Sequence, residues 1–246
     1  MKSNLFLLAL CTLLLTACKF DSVNFGDGRK IHPSSQIVKN EYRQPAFDKL
    51  DIDVVANVKF IQSDSNDYRV VLSCPDNYVE LFKFETEGSE LNVKFSRDNV
   101  NIEGEHVDVT VYSPRLRSLD NSGVASVEVS RLTTDKLEVE NSGVGTLYLS
   151  GLTVNQLEAE CSGVGNIELS GQTGRAELEC SGVGSIKAEN LKAQAVKVEV
   201  SGVGGIRCHA TERIDGEVSG VGSLKYGGKP QQKQLRRSGL GEIAEL

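Results

Sequence analysis

The sequence predicts an all-β fold, a single-stranded right-handed parallel β-helix (a solenoid) with about 20 residues per coil. One observation is a Ser-Gly-Val or Ser-Gly-Leu motif that recurs at intervals of 20, 20, 19, 20, 18 and 19 residues. Another is the alternation of apolar and polar residues around each motif, which is typical of β-strands. The seven motifs begin at Ser122, Ser142, Ser162, Ser181, Ser201, Ser219 and Ser238. A leucine-rich-repeat horseshoe is the alternative, but such short coils leave no room for a crossover helix of about ten or more residues.

Two columns of apolar residues are expected to face the core, and each column takes one residue from every coil. The third residues of the motifs form the first column, which is Val124, Val144, Val164, Val183, Val203, Val221 and Leu240. Residues three positions further on form the second column, which is Val127, Leu147, Ile167, Ile186, Ile206, Leu224 and Ile243. Since aromatic residues make up 6% of the chain, the core is expected to consist of stacked aliphatic layers.

The first glycine of each motif is predicted to form a structural turn that needs positive φ. These glycines are Gly123, Gly143, Gly163, Gly182, Gly202, Gly220 and Gly239. The second glycine is expected to be less constrained, because Ala125 replaces it in the first copy. A phosphate-binding loop is the functional alternative for Ser-Gly-Val-Gly, but it requires a helix after the loop, and no helical pattern follows.

The residue before each motif is also expected to face inward, in the column Asn121, Asn141, Cys161, Cys180, Val200 and Val218. The two Asn amides would hydrogen-bond each other along the axis. Cys161 and Cys180 would lie about 4.8 Å apart, which is compatible with two buried thiols or with a strained disulfide in an exported protein. No metal-ligand spacing is present, so neither a metal nor a cofactor is predicted.

The N-terminus resembles a bacterial lipoprotein signal. Residues 1–17 are expected to be a signal peptide, because Lys2 precedes a short apolar run that ends in Leu-Thr-Ala-Cys. Cys18 would then carry the lipid that anchors the protein to a membrane. Lys19 is compatible with sorting to the outer membrane of the cell envelope. An ordinary cleaved signal peptide with an incidental cysteine is the alternative.

The remaining chain divides into a tether and one domain. Residues 18–46 are polar and are expected to be the lipidated cysteine and a tether, within which residues 36–42 would form a capping strand. Residues 47–246 form the predicted β-helix. Loops at residues 64–67 and 99–105 are expected to be the binding protrusions. A net charge of −7 argues against nucleic acid as a partner.

An outward column of glutamates is the nearest approach to a functional site. The column consists of Glu140, Glu160, Glu179, Glu199 and Glu217, and in the neighbouring column Lys197 is expected to give the only neutralisation. Like charges on adjacent strands repel, so the column is either a solvated surface or a face that binds a cation or a basic ligand.

The Phe47-Asp48-Lys49-Leu50 opening, the Ser-Gly-Val-Gly coils and the ending from Tyr226-Gly227-Gly228 through Ser238-Gly239-Leu240-Gly241 resemble the auto-transporter adhesin head domain, also called the head GIN domain. The resemblance implies a right-handed β-helix on secreted or lipid-anchored bacterial proteins, with no defined ligand or active site. No functional residue is therefore carried over.

The expected function is a lipid-anchored envelope protein that acts as an adhesin-like binding module for a glycan or protein, or as a structural spacer. A polysaccharide lyase or hydrolase is the alternative, since parallel β-helices also carry such enzymes. That chemistry requires clustered carboxylates, often with Ca²⁺ and a basic residue. Because His32, His106 and His209 are far apart in sequence, the chain is expected not to be an enzyme.

Overall fold

The computed structural model describes residues 30–64 and 66–246. The chain forms a β-solenoid of about six turns, with about 20 residues per turn, which confirms the predicted fold class. In chain order the strands are β1 (Ile37–Arg43), β2 (Lys49–Asp53), β3 (Val55–Gln62), β4 (Arg69–Pro75), β5 (Phe82–Glu87), β6 (Glu90–Phe95), β7 (Asp108–Ser113), β8 (Ser118–Asn121), β9 (Val124–Asn141), β10 (Val144–Cys161), β11 (Val164–Cys180), β12 (Val183–Val200), β13 (Val203–Val218), β14 (Ser223–Gly227), β15 (Gln232–Arg237) and β16 (Glu242–Glu245).

The coils stack in parallel, with equivalent positions of the repeat in register. Strands β9 to β13 each cover most of one coil and pair with the next strand along the chain. Leu147 of β10, for example, lies between Val127 and Ile167 of its two neighbours. Repetition in the sequence therefore becomes a column in space.

The amino-terminal end has a spatial order that differs from the chain order. Strands β2 and β3 form a coil that pairs with β8 and β9 on one side and with β6 and β7 on the other. Strand β4 adds antiparallel to β7, and β1 adds antiparallel to β4 at the edge. The expected capping strand at residues 36–42 is therefore present as β1.

The folded region begins before the predicted domain boundary at residue 47. Ile31 pairs with Ile102, and the buried Tyr78 donates its hydroxyl to the Ile31 carbonyl at 2.6 Å. Ile31 and strand β1 are thus paired with the fold, within the stretch that was expected to be a tether. The expected signal peptide, Cys18 and the first part of the expected tether lie outside the described residues.

The second predicted column forms the core. Its members from Val127 to Leu224 are buried, and Ile243 is partly buried against them. Asn121 Nδ2 donates to Asn141 Oδ1 at 2.8 Å, so the expected buried amide pair is present. Cys161 and Cys180 are buried free thiols on adjacent coils, in agreement with the first of the two alternatives.

The first predicted column does not face the core. Val164, Val183 and Val203 are 55–57% exposed, and Leu240 is 89% exposed. The prediction assumed that the alternation of inward and outward side chains restarts after the turn. In the structure every second residue continues to face inward through the turn. The glycines of the motif occupy the inner positions between the buried Cys161 and Ile167, and the valine between them lies outside.

The first glycines lie at the bends, but the expected reason for them was wrong. None of the seven has positive φ, whereas the second-position Gly145 has a φ of 139°. A Cβ on Gly163 would lie 2.1 Å from the Gly143 carbonyl oxygen of the preceding coil. Close approach of stacked backbones, rather than a left-handed dihedral, therefore requires glycine at these positions.

The outward position of the valines can be tested by truncation. Ile186→Ala should lower the free energy of unfolding by about 2 to 5 kcal/mol, because it leaves a cavity in the core. Val183→Ala is the matched control on the same coil, and its loss should be well below 1 kcal/mol. Denaturant titration measures both, and equal losses would contradict the assignment.

Candidate ligand-binding surface

The predicted glutamate column is present on the outer surface of the strands that lead into each bend. The backbone register pairs each of its members with the next, in the order Glu140, Glu160, Glu179, Glu199 and Glu217. Two carboxylates that the sequence analysis missed extend the same column, since Asp120 pairs with Glu140 and Asp51 pairs with Asp120. The position of Asp120 in the column was predictable from the repeat, because Asp120 precedes Asn121 as Glu140 precedes Asn141.

Basic side chains neutralise one end of the column. Lys197 Nζ lies 2.9 Å from Glu199, and Arg236 Nε lies 3.6 Å from Glu217. In the neighbouring column Lys197 also contacts Glu177, and Lys136 contacts Glu138 and Glu158. Lys197 is therefore not the only source of neutralisation, contrary to expectation.

The other end of the column keeps its charge. Among the described residues, Asp120, Glu140, Glu160 and Glu179 have no ion pair. They line a shallow concavity of about 390 Å³ together with carboxylates of the neighbouring column. We call this surface the acidic face, and its seven carboxylates are Asp120, Glu138, Glu140, Glu158, Glu160, Glu177 and Glu179.

Burial, together with repulsion between carboxylates, raises the pKa of two groups in the acidic face. Burial, followed by the charge of Glu140, raises the pKa of Asp120 to about 6. Burial and the carboxylates of neighbouring coils also raise the pKa of Glu179. Asp120 Oδ1 is buried and has no hydrogen-bond partner among the described residues. Protonation of Asp120 is therefore favoured in the folded state.

The carboxylates of the column stand in a row rather than in a cluster. Within residues 30–64 and 66–246, no group of three or more His, Cys, Asp and Glu side chains is arranged to hold a metal ion. Carboxylates on successive coils point outward side by side, about 4.8 Å apart, rather than converging on one point. This arrangement suits an extended basic ligand better than a chelated cation.

Comparison with known proteins places the fold in a family. A family model described as "Putative auto-transporter adhesin, head GIN domain" matches residues 46–230. The chain belongs to this head GIN domain family. No protein of curated function is similar to it in sequence.

Solved structures from Bacteroides and Parabacteroides species have a similar fold. A "putative adhesin" of Bacteroides fragilis is 35% identical, with a TM-score of 0.84, and the match covers 88% of this chain and 100% of that one. A "putative adhesin" and a "putative lipid binding protein" of Parabacteroides distasonis are 19% and 20% identical, with TM-scores of 0.70 and 0.68. Each of these two matches covers 89% of this chain and 100% of the other, and at that identity the likeness concerns the fold alone.

Three buried cysteines of this head GIN domain are poor candidates for nucleophiles. Burial raises the pKa of Cys208 to about 12, and burial together with Asp76 raises that of Cys74 to about 11. A hydrogen bond to Cys180, followed by burial, raises the pKa of Cys161. These thiols are therefore protonated and enclosed.

Among the described residues no helix is long and apolar enough to cross a membrane.

Stability should depend on pH through Asp120. Its folded-state pKa is about 6 and its ordinary value is 3.8, so the stability that its proton provides is present below pH 4 and is lost as pH rises through 6. Asp120→Asn should therefore raise the unfolding midpoint at pH 7, by about 2 to 4 °C for each 1 kcal/mol gained.

The same substitution should give no gain at pH 4, where Asp120 is protonated in the folded state. Glu138→Gln is the matched control, because it removes a carboxylate that Lys136 already pairs at 2.6 Å. Thermal unfolding by circular dichroism at both pH values measures the effect. An Asp120→Asn midpoint no higher than wild type at pH 7 would contradict the assigned repulsion.

Proposed function

We propose that the protein is a lipid-anchored module of the bacterial cell envelope, sorted to the outer membrane, that binds a ligand without transforming it. The adhesin descriptions of the family and of its relative from Bacteroides fragilis support a binding role at the cell surface. The observation that carries the proposal is the acidic face, in which four of the seven carboxylates have no ion pair among the described residues, namely Asp120, Glu140, Glu160 and Glu179.

The chemistry of the acidic face favours a ligand with several positive charges. The solenoid holds the carboxylates of Glu140, Glu160 and Glu179 in a row, so a basic peptide segment or a polyamine meets them without any ordering of the backbone. Rows of this kind also strengthen long-range attraction of an oppositely charged partner.

A polysaccharide hydrolase is the second candidate, because Asp120 has a raised pKa beside Glu140. Adjacent coils hold the two residues about 4.8 Å apart at the backbone, and retaining enzymes place their two carboxyl groups about 5 to 5.5 Å apart. The lining of the concavity contains no aromatic ring to support a sugar. Binding is therefore the better-supported function, and release of reducing ends from polysaccharides would favour the hydrolase instead.

Cys18 is proposed to be the attachment to the membrane. Cys18→Ser should move the protein from the detergent-rich fraction to the aqueous fraction, because two or three acyl chains supply the binding energy that one chain does not. Mass spectrometry of the N-terminus in both forms provides the control. A serine variant that stays with the membrane without N-terminal modification would contradict the lipid anchor.

Binding of a cationic ligand can be tested with a lysine decapeptide and residues 30–246 of the protein, by isothermal titration calorimetry at low salt. Glu160→Gln/Glu179→Gln removes two carboxylates that have no ion pair and should weaken binding by about tenfold, a loss of about 1.4 kcal/mol. Added salt should weaken wild-type binding as well.

The matched control lies in the same column. Glu199→Gln/Glu217→Gln removes the same number of carboxylates, but these are already paired with Lys197 and Arg236, so the loss should be smaller. Equal losses in the two double variants would mean that net charge, and not the acidic face, governs binding. No binding by the wild type would reject a cationic ligand.

A further inference from the structure

A second polar depression lies at the opposite bend of the coil, near the end of β3. It has a volume of about 640 Å³, and its lining includes Gln62, Asp64, Ser130, Arg131 and Ser150. This depression is separate from the acidic face, with which it shares no lining residue. Asp64 belongs to one of the two loops that the sequence predicts as binding protrusions.

The depression exists because one coil is incomplete at this bend. Strand β3 ends at Gln62 and does not continue above the corresponding part of β9. The Gln62 side-chain amide takes the place of the missing strand, since its Oε1 accepts from Thr133 N and its Nε2 donates to Thr133 O, each at 3.0 Å. Beyond that side chain the bend is open to solvent.

Arg131 lies at this bend in an unfavourable backbone conformation. Its φ is 70°, and the equivalent residue on the next coil is Gly151, with a φ of 63°. A non-glycine residue at such a φ is strained, which costs free energy relative to a relaxed backbone. Among the described residues the Arg131 guanidinium has no hydrogen bond or ion pair, so nothing within the fold accounts for this cost.

An exposed aromatic ring lies beside the depression. Tyr148 is 44% exposed, and it is the only aromatic residue among the large exposed hydrophobic side chains of the described chain. It lines a smaller depression of about 200 Å³ that shares Ser150 with the first. Tyr148 and Ser150 face the same side of β10, about 7 Å apart along the strand. The two depressions adjoin at Ser150, and we call them together the corner groove. Its lining also includes Glu168, which pairs with Lys187, and Glu189, which pairs with Arg207.

We propose that the corner groove binds a saccharide that carries carboxylate groups. The exposed ring of Tyr148 can stack on the apolar face of a sugar, and the Arg131 guanidinium can hold a carboxylate through two parallel hydrogen bonds. The hydroxyls of Ser130 and Ser150 lie between the two on adjacent coils. Ser150 can donate to a hydroxyl of the sugar, and Ser130, whose hydroxyl donates to Glu128, can accept from one. This inference goes beyond the proposed function, since it concerns another surface and a ligand of the opposite charge.

The experiment uses a tetrasaccharide of galacturonic acid as the probe and its fully methyl-esterified form as the neutral counterpart. Wild-type protein should bind the acidic form and should bind the ester at least tenfold more weakly. Tyr148→Ala should weaken binding of both forms, because both carry the same sugar rings. Equal affinity for the two forms, or no binding of either, would overturn the proposal.

Arg131→Gly separates binding from folding. It places at this bend the residue that the next coil uses at the same φ, so the variant should fold with an unfolding midpoint no lower than wild type. It should nevertheless lose the preference for the acidic form. Arg237→Ala, at the far end of the solenoid, is the control and should keep that preference.

Retained preference in Arg131→Gly would overturn the role of Arg131 and with it the proposed groove. Binding of the lysine decapeptide should be unchanged in Arg131→Gly, because the acidic face does not include this residue. A failure of one proposal is therefore distinguishable from a failure of the other.

Discussion

In-register parallel stacking of the coils is the constraint on which the rest of the structure depends. Each residue lies about 4.8 Å from its equivalent on the next coil, so a residue type that recurs in the sequence becomes a continuous column. This arrangement lets a chain with few aromatic residues form a core from aliphatic ladders such as Val127, Leu147 and Ile167. It also brings backbones so close at the bends that the first glycine of each motif has no room for a side chain.

The same constraint acts on polar residues, with opposite results inside and outside. Inside, stacking gives the Asn121 amide the partner that a buried amide requires. Outside, it places carboxylates in rows, where they repel. Lys136 and Lys197 offset part of that repulsion from the neighbouring column, but the segment from Asp120 to Glu179 has no such partner. Repulsion between these carboxylates lowers the stability of the fold, and no part of the fold depends on it.

Much of the fold was predictable, because periodicity in the sequence reports directly on stacked coils. Val164 was misplaced because the alternation was assumed to restart at the turn, whereas Gly163 and Gly165 continue the inner positions without side chains. The order of strands at the amino-terminal end was not predictable, since antiparallel pairing of β1 with β4 leaves no periodic signal. Of the acidic face, the sequence indicated the glutamates but not which of them lack a basic partner, because that depends on the reach of side chains from the neighbouring column.

A regular repeat presents the same chemistry at every coil, so it can attract a periodic ligand but cannot fix one position along the axis. A ligand can be held at one position along the axis only where the repeat is interrupted. The solenoid has such interruptions where Arg131 replaces a glycine and where β3 ends and leaves an open bend. The acidic face is the periodic surface, and the corner groove is the aperiodic one. Recognition of a specific ligand is therefore expected where the repeat is interrupted, and attraction by charge where it is intact.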